Sequence, residues 1–274
     1  MKGLMMNFNI RMSMKTKFLI LTFLIFNFSL SYGQGWWFAS PAIKTTTLKD
    51  SLISVWELNE TSGSNAADAH SSNNGSITGA VVGYSGVSGD GAYGFDGNDY
   101  IEIANESNFD GLSTVSISTW VNVSSFPSSN GLSTIVAKGY NGTNTESFYL
   151  RIYNDAGTSK LQFGTWNLSG GSIHASWNIT GWSTGTWYHI IAIFNGNTYK
   201  LYFNNSEVAS TTSSTAPYNT NQPVSIGAWK NGASTWDRYF NGYIDQTVIS
   251  RACWTSTERS DLHNSVNILP YINW

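Results

Sequence analysis

The chain has 274 residues, with 14 Lys+Arg against 17 Asp+Glu, 15% aromatics, only 11% charged residues and a single cysteine, Cys253. With no basic run anywhere, it lacks the clustered Lys and Arg that nucleic acids and anionic membranes require of a partner. One thiol excludes an internal disulfide framework, so stability must come from a packed core, helped at most by a metal.

The first element is an address. Lys15 and Lys17 precede thirteen apolar-rich residues, Phe18 to Leu30, followed by the small Ser31 and Gly33. Such a run is too short to span a bilayer and has the order of parts of a secretory signal, here residues 1–33, starting at Met1 or Met14. Its removal takes away four basic residues and no acidic ones, leaving 241 residues of net charge −7 that are secreted or held at the cell surface. Residues 34–50 form a lead-in whose Trp36, Trp37 and Phe38 make a sticky patch suited to docking on the domain or on a protein partner.

From residue 51 to 264 short apolar and aromatic runs alternate with Gly, Asn, Asp and Ser punctuation, among them "SLISVWEL", "VSISTWVNV", "SFYLRIYN", "TWYHIIAIF", "TYKLYF" and "GYIDQTVIS". Many short strands with turn-rich gaps and no linker predict one all-β antiparallel sandwich or barrel. "TSTERSDLHN", 255–264, is a short C-terminal helix capped by Thr255 or Ser256, and 265–274 is a tail.

The ordered series "VWELNETSG", "ADAHSSNNGSITG", "GAYGFDGNDYIEI", "VSISTWVNV", "STIVAKG", "GTWYHIIAIFNGNTYKLYFNN", "VSIGAW" and "FNGYIDQTVISRA" resembles the laminin-G-like domains of the concanavalin A-like lectin/glucanase superfamily. The resemblance implies a two-sheet jelly roll, one sheet concave and one convex, with Trp120 and Trp187 as core or near-core aromatics. His189, alternating with apolar neighbours, reads as a structural histidine. The "YFNNSE" stretch departs from the Asp-Gly turn of relatives, which implies a differently shaped hairpin tip.

Read as a regular strand, "FNGYIDQTVIS" puts Tyr243, Asp245, Thr247 and Ile249 on one face and Ile244, Gln246 and Val248 on the other. Neither face is wet, so the Asp245 carboxylate needs a partner. The polar loop 67–76 offers Asp68, Ser71, Asn73 and Asn74, a mixture of oxygens suited to Ca²⁺. The expectation is a structural Ca²⁺ shared by Asp68 and Asp245 with oxygens around Ser71, Asn73 and Asn74, and Glu57 within reach of adding one. Many relatives of the resembled family carry Ca²⁺ near this loop. Two alternatives stay open: Asp245 accepts from the amides of a neighbouring loop, or it pairs with a distant Arg. The series Asp96, Asp99 and Glu102 reads as a turn followed by solvent-facing positions.

No Glu-x-Asp-x-x-Glu series, nucleophile elbow, zinc pair or phosphate loop is present, so no catalytic residue is assigned. Aromatics beside polar groups point instead to sugar binding. One candidate set is Trp229, Trp236, Asp237, Arg238 and Tyr239; the other is Trp166, Trp177 and Trp182. The reading is a non-catalytic carbohydrate-recognition or adhesion module facing a glycan or glycoprotein surface. A structural, protein-binding surface or virion component is the alternative, and a glycoside hydrolase comes third.

Overall fold

"VSISTWVNV" and "TYKLYF" are strands over their whole length, as expected where β-branched and aromatic residues fill a pleated surface. The computed structural model describes residues 48–104, 106–140, 145–166, 171–232 and 234–264. The predicted leader, the tail and the lead-in up to residue 47, with Trp36, Trp37 and Phe38, lie outside the described residues. Among the described residues no helix is long and apolar enough to cross a membrane.

In chain order the strands are β1 (Leu52–Trp56), β2 (Asn65–Ala66), β3 (Gly75–Thr78), β4 (Val81–Tyr84), β5 (Ala92–Asp96), β6 (Tyr100–Ile103), β7 (Val115–Val123), β8 (Leu132–Tyr140) and β9 (Glu146–Asp155). They continue as β10 (Thr158–Trp166), β11 (Ser172–Asn178), β12 (Trp187–Phe194), β13 (Thr198–Phe203), β14 (Ser206–Thr212), β15 (Val224–Ile226), β16 (Trp229–Asn231), β17 (Thr235–Asp237) and β18 (Asn241–Ser250). One turn of helix, α1 (Leu48–Ser51), precedes them, and α2 (Ser256–Asn264) follows.

Two antiparallel sheets form a sandwich. The eight-stranded sheet runs β14-β13-β12-β7-β18-β5-β4, with β1 also on β18. The ten-stranded sheet runs β11-β10-β9-β8-β15-β6-β3-β2, with the β16–β17 hairpin attached to β8. Inward residues such as Ile117, Val121, Leu150, Phe163, Ile190 and Ile244 make the main core between them. A second cluster, with Val55, Ile191, Val248, Trp254 and Leu262, lies on the outer face of the eight-stranded sheet beneath α2. Thr255 caps that helix reciprocally. Its Oγ1 accepts from Glu258 N–H at 3.3 Å, and the Glu258 carboxylate accepts from Thr255 N–H at 2.7 Å. The "FNNS" tip places Asn204 and Asn205 at φ +44° and +66°, the two left-handed positions of a type I′ hairpin.

Strand β18 corrects the regular reading of its sequence. A bulge interrupts its register between Asp245 and Val248, with Gln246 at φ +48°. The extra residue reverses the alternation beyond it. Ile249 therefore enters the main core and Val248 the outer cluster, opposite to the regular pattern. The bulge is also a seam. Strand β5 pairs with Asn241–Ile244 and β1 with Thr247–Ser250, leaving Asp245 and Gln246 between the two partners.

Candidate functional site

On the outer face of the ten-stranded sheet, β9 turns Phe148, Leu150 and Ile152 into the core and leaves Tyr149 and Arg151 outward. These outward residues are covered all the same, because the β16–β17 hairpin stands on this face. Ladder partners Trp229 and Asp237 share one side of the hairpin, while Lys230 and Trp236 share the other.

Trp229, 4% exposed, packs with Ala137 and Tyr149 and stacks on Tyr140 at 5.8 Å between ring centres. The Arg238 guanidinium lies 3.5 Å over its ring, donates to Glu146 Oε1 at 3.3 Å and stands 3.6 Å from Asp237 Oδ1. On the hairpin's other side, Trp236 stacks face to face on Tyr100 at 3.9 Å, with Lys230 Nζ 4.4 Å from its ring centre and 3.8 Å from Glu102. Tyr239 Oη donates to the Trp236 carbonyl at 3.0 Å. The five-residue set from the hairpin region is thus one connected structure.

Sequence reasoning missed the floor beneath it. Arg151 lies 3.8 Å over Tyr149 and donates to Gln162 Oε1 at 3.1 Å. Ser172 Oγ stands 2.5 Å from His174 Nδ1 and 3.1 Å from Tyr149 Oη. Burial, then Arg151 and Lys160, push the His174 pKa down, so the ring is neutral at pH 7. Burial pushes Glu146 up against the pull of Arg151 and Arg238. The signal was available: in "SFYLRIYN", Ser147, Tyr149 and Arg151 alternate with Phe148, Leu150 and Ile152.

Buried polar atoms of this face without a hydrogen-bond partner among the described residues include Glu146 Oε2, Asp237 Oδ1, Trp229 Nε1 and Trp166 Nε1. Trp166, a ladder partner of Glu146 at the end of β10, belongs to the same face. Trp177 and Trp182 do not. Trp182, 8% exposed, stacks on Tyr188 at 4.6 Å, and Trp177 packs on Phe203 at 4.9 Å, both closing the sandwich core. Their placement in a binding loop is corrected: Trp177 sits within β11 and both are packing residues.

The expected cation set also divides. Asp68 Oδ1 accepts from the amides of Val55, His70 and Ser71 at 3.0, 3.0 and 3.1 Å. Its Oδ2 accepts from Ser71 Oγ at 2.5 Å and Asn73 N–H at 3.1 Å. Burial favours the neutral acid, but those hydrogen bonds outweigh it and lower the Asp68 pKa. Asn74 Oδ1 accepts from Asp68 N–H at 2.8 Å, and Asn73 Nδ2 donates to Ser54 Oγ at 2.7 Å. Strand β1 separates this loop from Asp245, since Trp56 bridges to Asp68 on one edge and pairs with Thr247 on the other. Two strand spacings, about 10 Å, thus part the backbones. Asp68, Ser71, Asn73, Asn74 and Asp245 do not fit a common ion.

Asp245 is fully buried in the seam of β18; Oδ2 accepts from Val87 N–H at 2.8 Å, the backbone N–H of Gln246 also favours the carboxylate, and Oδ1 has no side-chain or loop hydrogen-bond partner among the described residues. The neighbouring-loop amide was one of the two alternatives. Burial, with Asp90 and Glu57 adding to it, pushes its pKa up to about 7. Glu57 Oε1 and Asn59 Oδ1, just beyond β1, are likewise buried without partners. A side chain at Gly91 would meet Asn59 Oδ1 at 2.9 Å and the Leu58 carbonyl at 3.1 Å. One at Gly86 would meet the Gly91 carbonyl and Asp245 Oδ2. The seam is therefore lined with oxygens. Among the described residues no three His, Cys, Asp or Glu form a ready metal cage, so an ion there needs amide and carbonyl oxygens as well.

His189 is structural, as expected. Fully buried, it stands 2.8 Å from Ser118 Oγ, and burial followed by His263 pushes its pKa down to about 3. Trp120 stacks on both histidines at 4.8 and 5.6 Å, on the outer face rather than in the main core.

A laminin G-type sequence profile, described as the concanavalin A-like lectin/glucanases superfamily, matches residues 95–258. The chain belongs to that superfamily. No curated protein sequence matches it. Among solved structures it is similar to domain 4 of AbnA, a GH43 extracellular arabinanase from Geobacillus stearothermophilus, in complex with arabinotriose. That match has 18% identity and a TM-score of 0.58 over 78% of this chain and 98% of that one. It is similar also to the botulinum neurotoxin serotype C1 binding domain, with 14% identity and a TM-score of 0.59 over 80% of this chain. The binding domain of botulinum neurotoxin DC in complex with SialylT matches at 14% identity and a TM-score of 0.58 over 80% of this chain. The chain spans about half the length of these toxin domains, 53% and 52%. At such identities the likeness is one of fold.

Proposed function

We propose that this superfamily member is a secreted, non-catalytic glycan-binding module that takes sugar on the face carrying the β16–β17 hairpin. The observation that carries the reading is the set of polar atoms beside Trp229, Trp236 and Trp166 that have no hydrogen-bond partner among the described residues. Sugar hydroxyls both donate and accept, so they can satisfy indole N–H and carboxylate oxygens together, and a sugar ring can take the place of Lys230 on the Trp236 face that Tyr100 does not cover. Arg238 is paired with Glu146 and Asp237, and Lys230 with Glu102, so the charges of this face are balanced and it offers both donors and acceptors to sugar hydroxyls. Two of the similar structures are complexes named with arabinotriose and SialylT, which supports a glycan partner.

Electrophoresis of the purified protein through gels containing acidic and neutral polysaccharides tests this. Retardation by at least one glycan, weakened about tenfold by Trp236→Ala, is expected. No retardation in any gel, or no effect of Trp236→Ala, overturns it. Release of new reducing ends would overturn the non-catalytic part. Secretion is tested by the mature N-terminus, expected at Gln34.

A second reading concerns Asp245. The buried, oxygen-lined seam supports a structural Ca²⁺ there, held by Asp245, Glu57, Asn59 and the carbonyls of Leu58 and Gly91, with Asp90 balancing charge. The ion would tie the end of β1 and the loop before β5 to β18. A melting temperature that does not move between EGTA and Ca²⁺ refutes it.

A further inference from the structure

The outer face of the eight-stranded sheet has a feature that the hairpin face does not explain. Among the described residues the large hydrophobic side chains left exposed are Val81, at 54%, and Tyr84, at 41%. Both line one cleft of about 270 Å³ at the β4–β5–β18 edge, together with Tyr243. A soluble domain gains nothing from leaving its exposed apolar surface in a concavity unless something covers it.

The cleft is shaped by its backbone. A side-chain carbon at Gly94 would lie 2.5 Å from the Tyr84 ring and 3.3 Å from that of Tyr243. Only a bare glycine lets Tyr84 lie down across β5 against Tyr243, where the rings meet edge to face at 4.9 Å. The polar wall is equally arranged. Asp99, 3% exposed, accepts from Asp96 N–H at 2.7 Å and so fixes the turn. Asn241 Nδ2 donates to the Asp96 carbonyl at 3.0 Å. This leaves Asp96 solvent-exposed at the rim beside Asn241 and Ser124.

The ladder continues beyond the cleft, through the buried Asn122. Gly94 pairs with Tyr243, Tyr243 with Asn122 and Asn122 with Trp187, so a row with an indole at its far end crosses four strands. Trp187 alternates with Tyr188 and Ile190, which face the core, and is itself half-buried on the outer side. The row spans three strand spacings, about 14 Å.

Aromatic rings bordered by a carboxylate, an amide and a hydroxyl fit a polyhydroxylated ring. No Lys, Arg or His lines the cleft, and its two acids repel sulfate and uronate. At about 270 Å³ it lies just below the small-molecule pocket range of about 300–1,000 Å³, suited to a ring of a chain rather than to a protein partner.

We propose that the Tyr84–Tyr243 cleft is a second saccharide site, selective for neutral sugars, on the sheet opposite the hairpin face. One module would then hold two glycan strands, one on each side.

The full-length protein is run through gels containing arabinan, xylan or galactomannan, as wild type and as Tyr84→Ala, Val81→Lys and Trp236→Ala. Retardation of the wild type by at least one of these, with dissociation constants raised about tenfold by Tyr84→Ala and by Val81→Lys, is expected. Val81→Lys keeps the test decisive if Tyr84→Ala melts early, because it fills the cleft mouth without removing the ring pair. Wild-type migration unaffected by all three neutral polymers, or retardation unchanged in both cleft variants, overturns the proposal. Loss in Trp236→Ala of a binding that both cleft variants keep reads the hairpin site alone, so either site can fail while the other stands.

Discussion

Asp68 and Asp245 are both buried aspartates, on opposite sides of β1, and they resolve burial in opposite ways. Asp68 is clasped by five donors from its own loop and from β1, and its pKa falls. Asp245 has only the amides of Val87 and Gln246 against burial and two nearby carboxylates, and its pKa climbs to about 7. Burial enters both cases with the same sign. The number of N–H and O–H groups aimed at the carboxylate decides the outcome. A loop of Ser, Asn and His amides that looks like an ion cradle can therefore be a carboxylate cradle instead.

The largest expected effect is at Asp68. Asp68→Ala orphans the five donors at once and should destabilise the fold by about 3–5 kcal/mol, read as a lower urea midpoint. If it costs under 1 kcal/mol, the contrast between the two acids is broken.

Next is pH. Asp245 binds its proton more tightly folded than unfolded, so its contribution declines as pH rises from 3.8 to about 7 and is flat above. Measured in EGTA, stability should fall across that window by up to about 4 kcal/mol, 1.36 kcal/mol per pH unit. With saturating Ca²⁺ the decline should vanish, because the ion stabilises the charged form. Asp68 acts with the opposite sign: its lowered pKa supports the fold above its unfolded value and is lost as pH falls through the folded one.

Asp245→Asn removes the buried charge. In EGTA at pH 8 it should be at least as stable as wild type, while losing the whole Ca²⁺ response by calorimetry. A destabilised variant that still responds to Ca²⁺ would contradict the seam. The smallest effect is at Asn74→Ala, which deletes one hydrogen bond to Asp68 N–H and should cost about 1 kcal/mol.

Much of the fold was legible because strand chemistry is local. "VSISTWVNV" and "TYKLYF" carry their own boundaries, and Thr255 with Glu258 announces the terminal helix. The hairpin aromatics were legible as a group because they are adjacent in sequence. What could not be read was set by non-local geometry. Trp177 looked loop-borne until β10 supplied a partner for β11. The β18 bulge depends on two different strands meeting one edge. Tyr84 and Gly94 become a cleft only when β4, β5 and β18 lie side by side.

The pairing of the first long strand with the last has a mechanical consequence. Leu52 lies opposite Ser250, and Arg251 N–H donates to the Ser51 carbonyl at 2.8 Å, so the chain enters β1 where it leaves β18. Tension applied between residues 51 and 251 loads these bonds one rung at a time, as in a zip, rather than all together in shear. Pulled through those points, the domain should yield at low force by peeling β1, which would open the Asp245 seam before the sheets part.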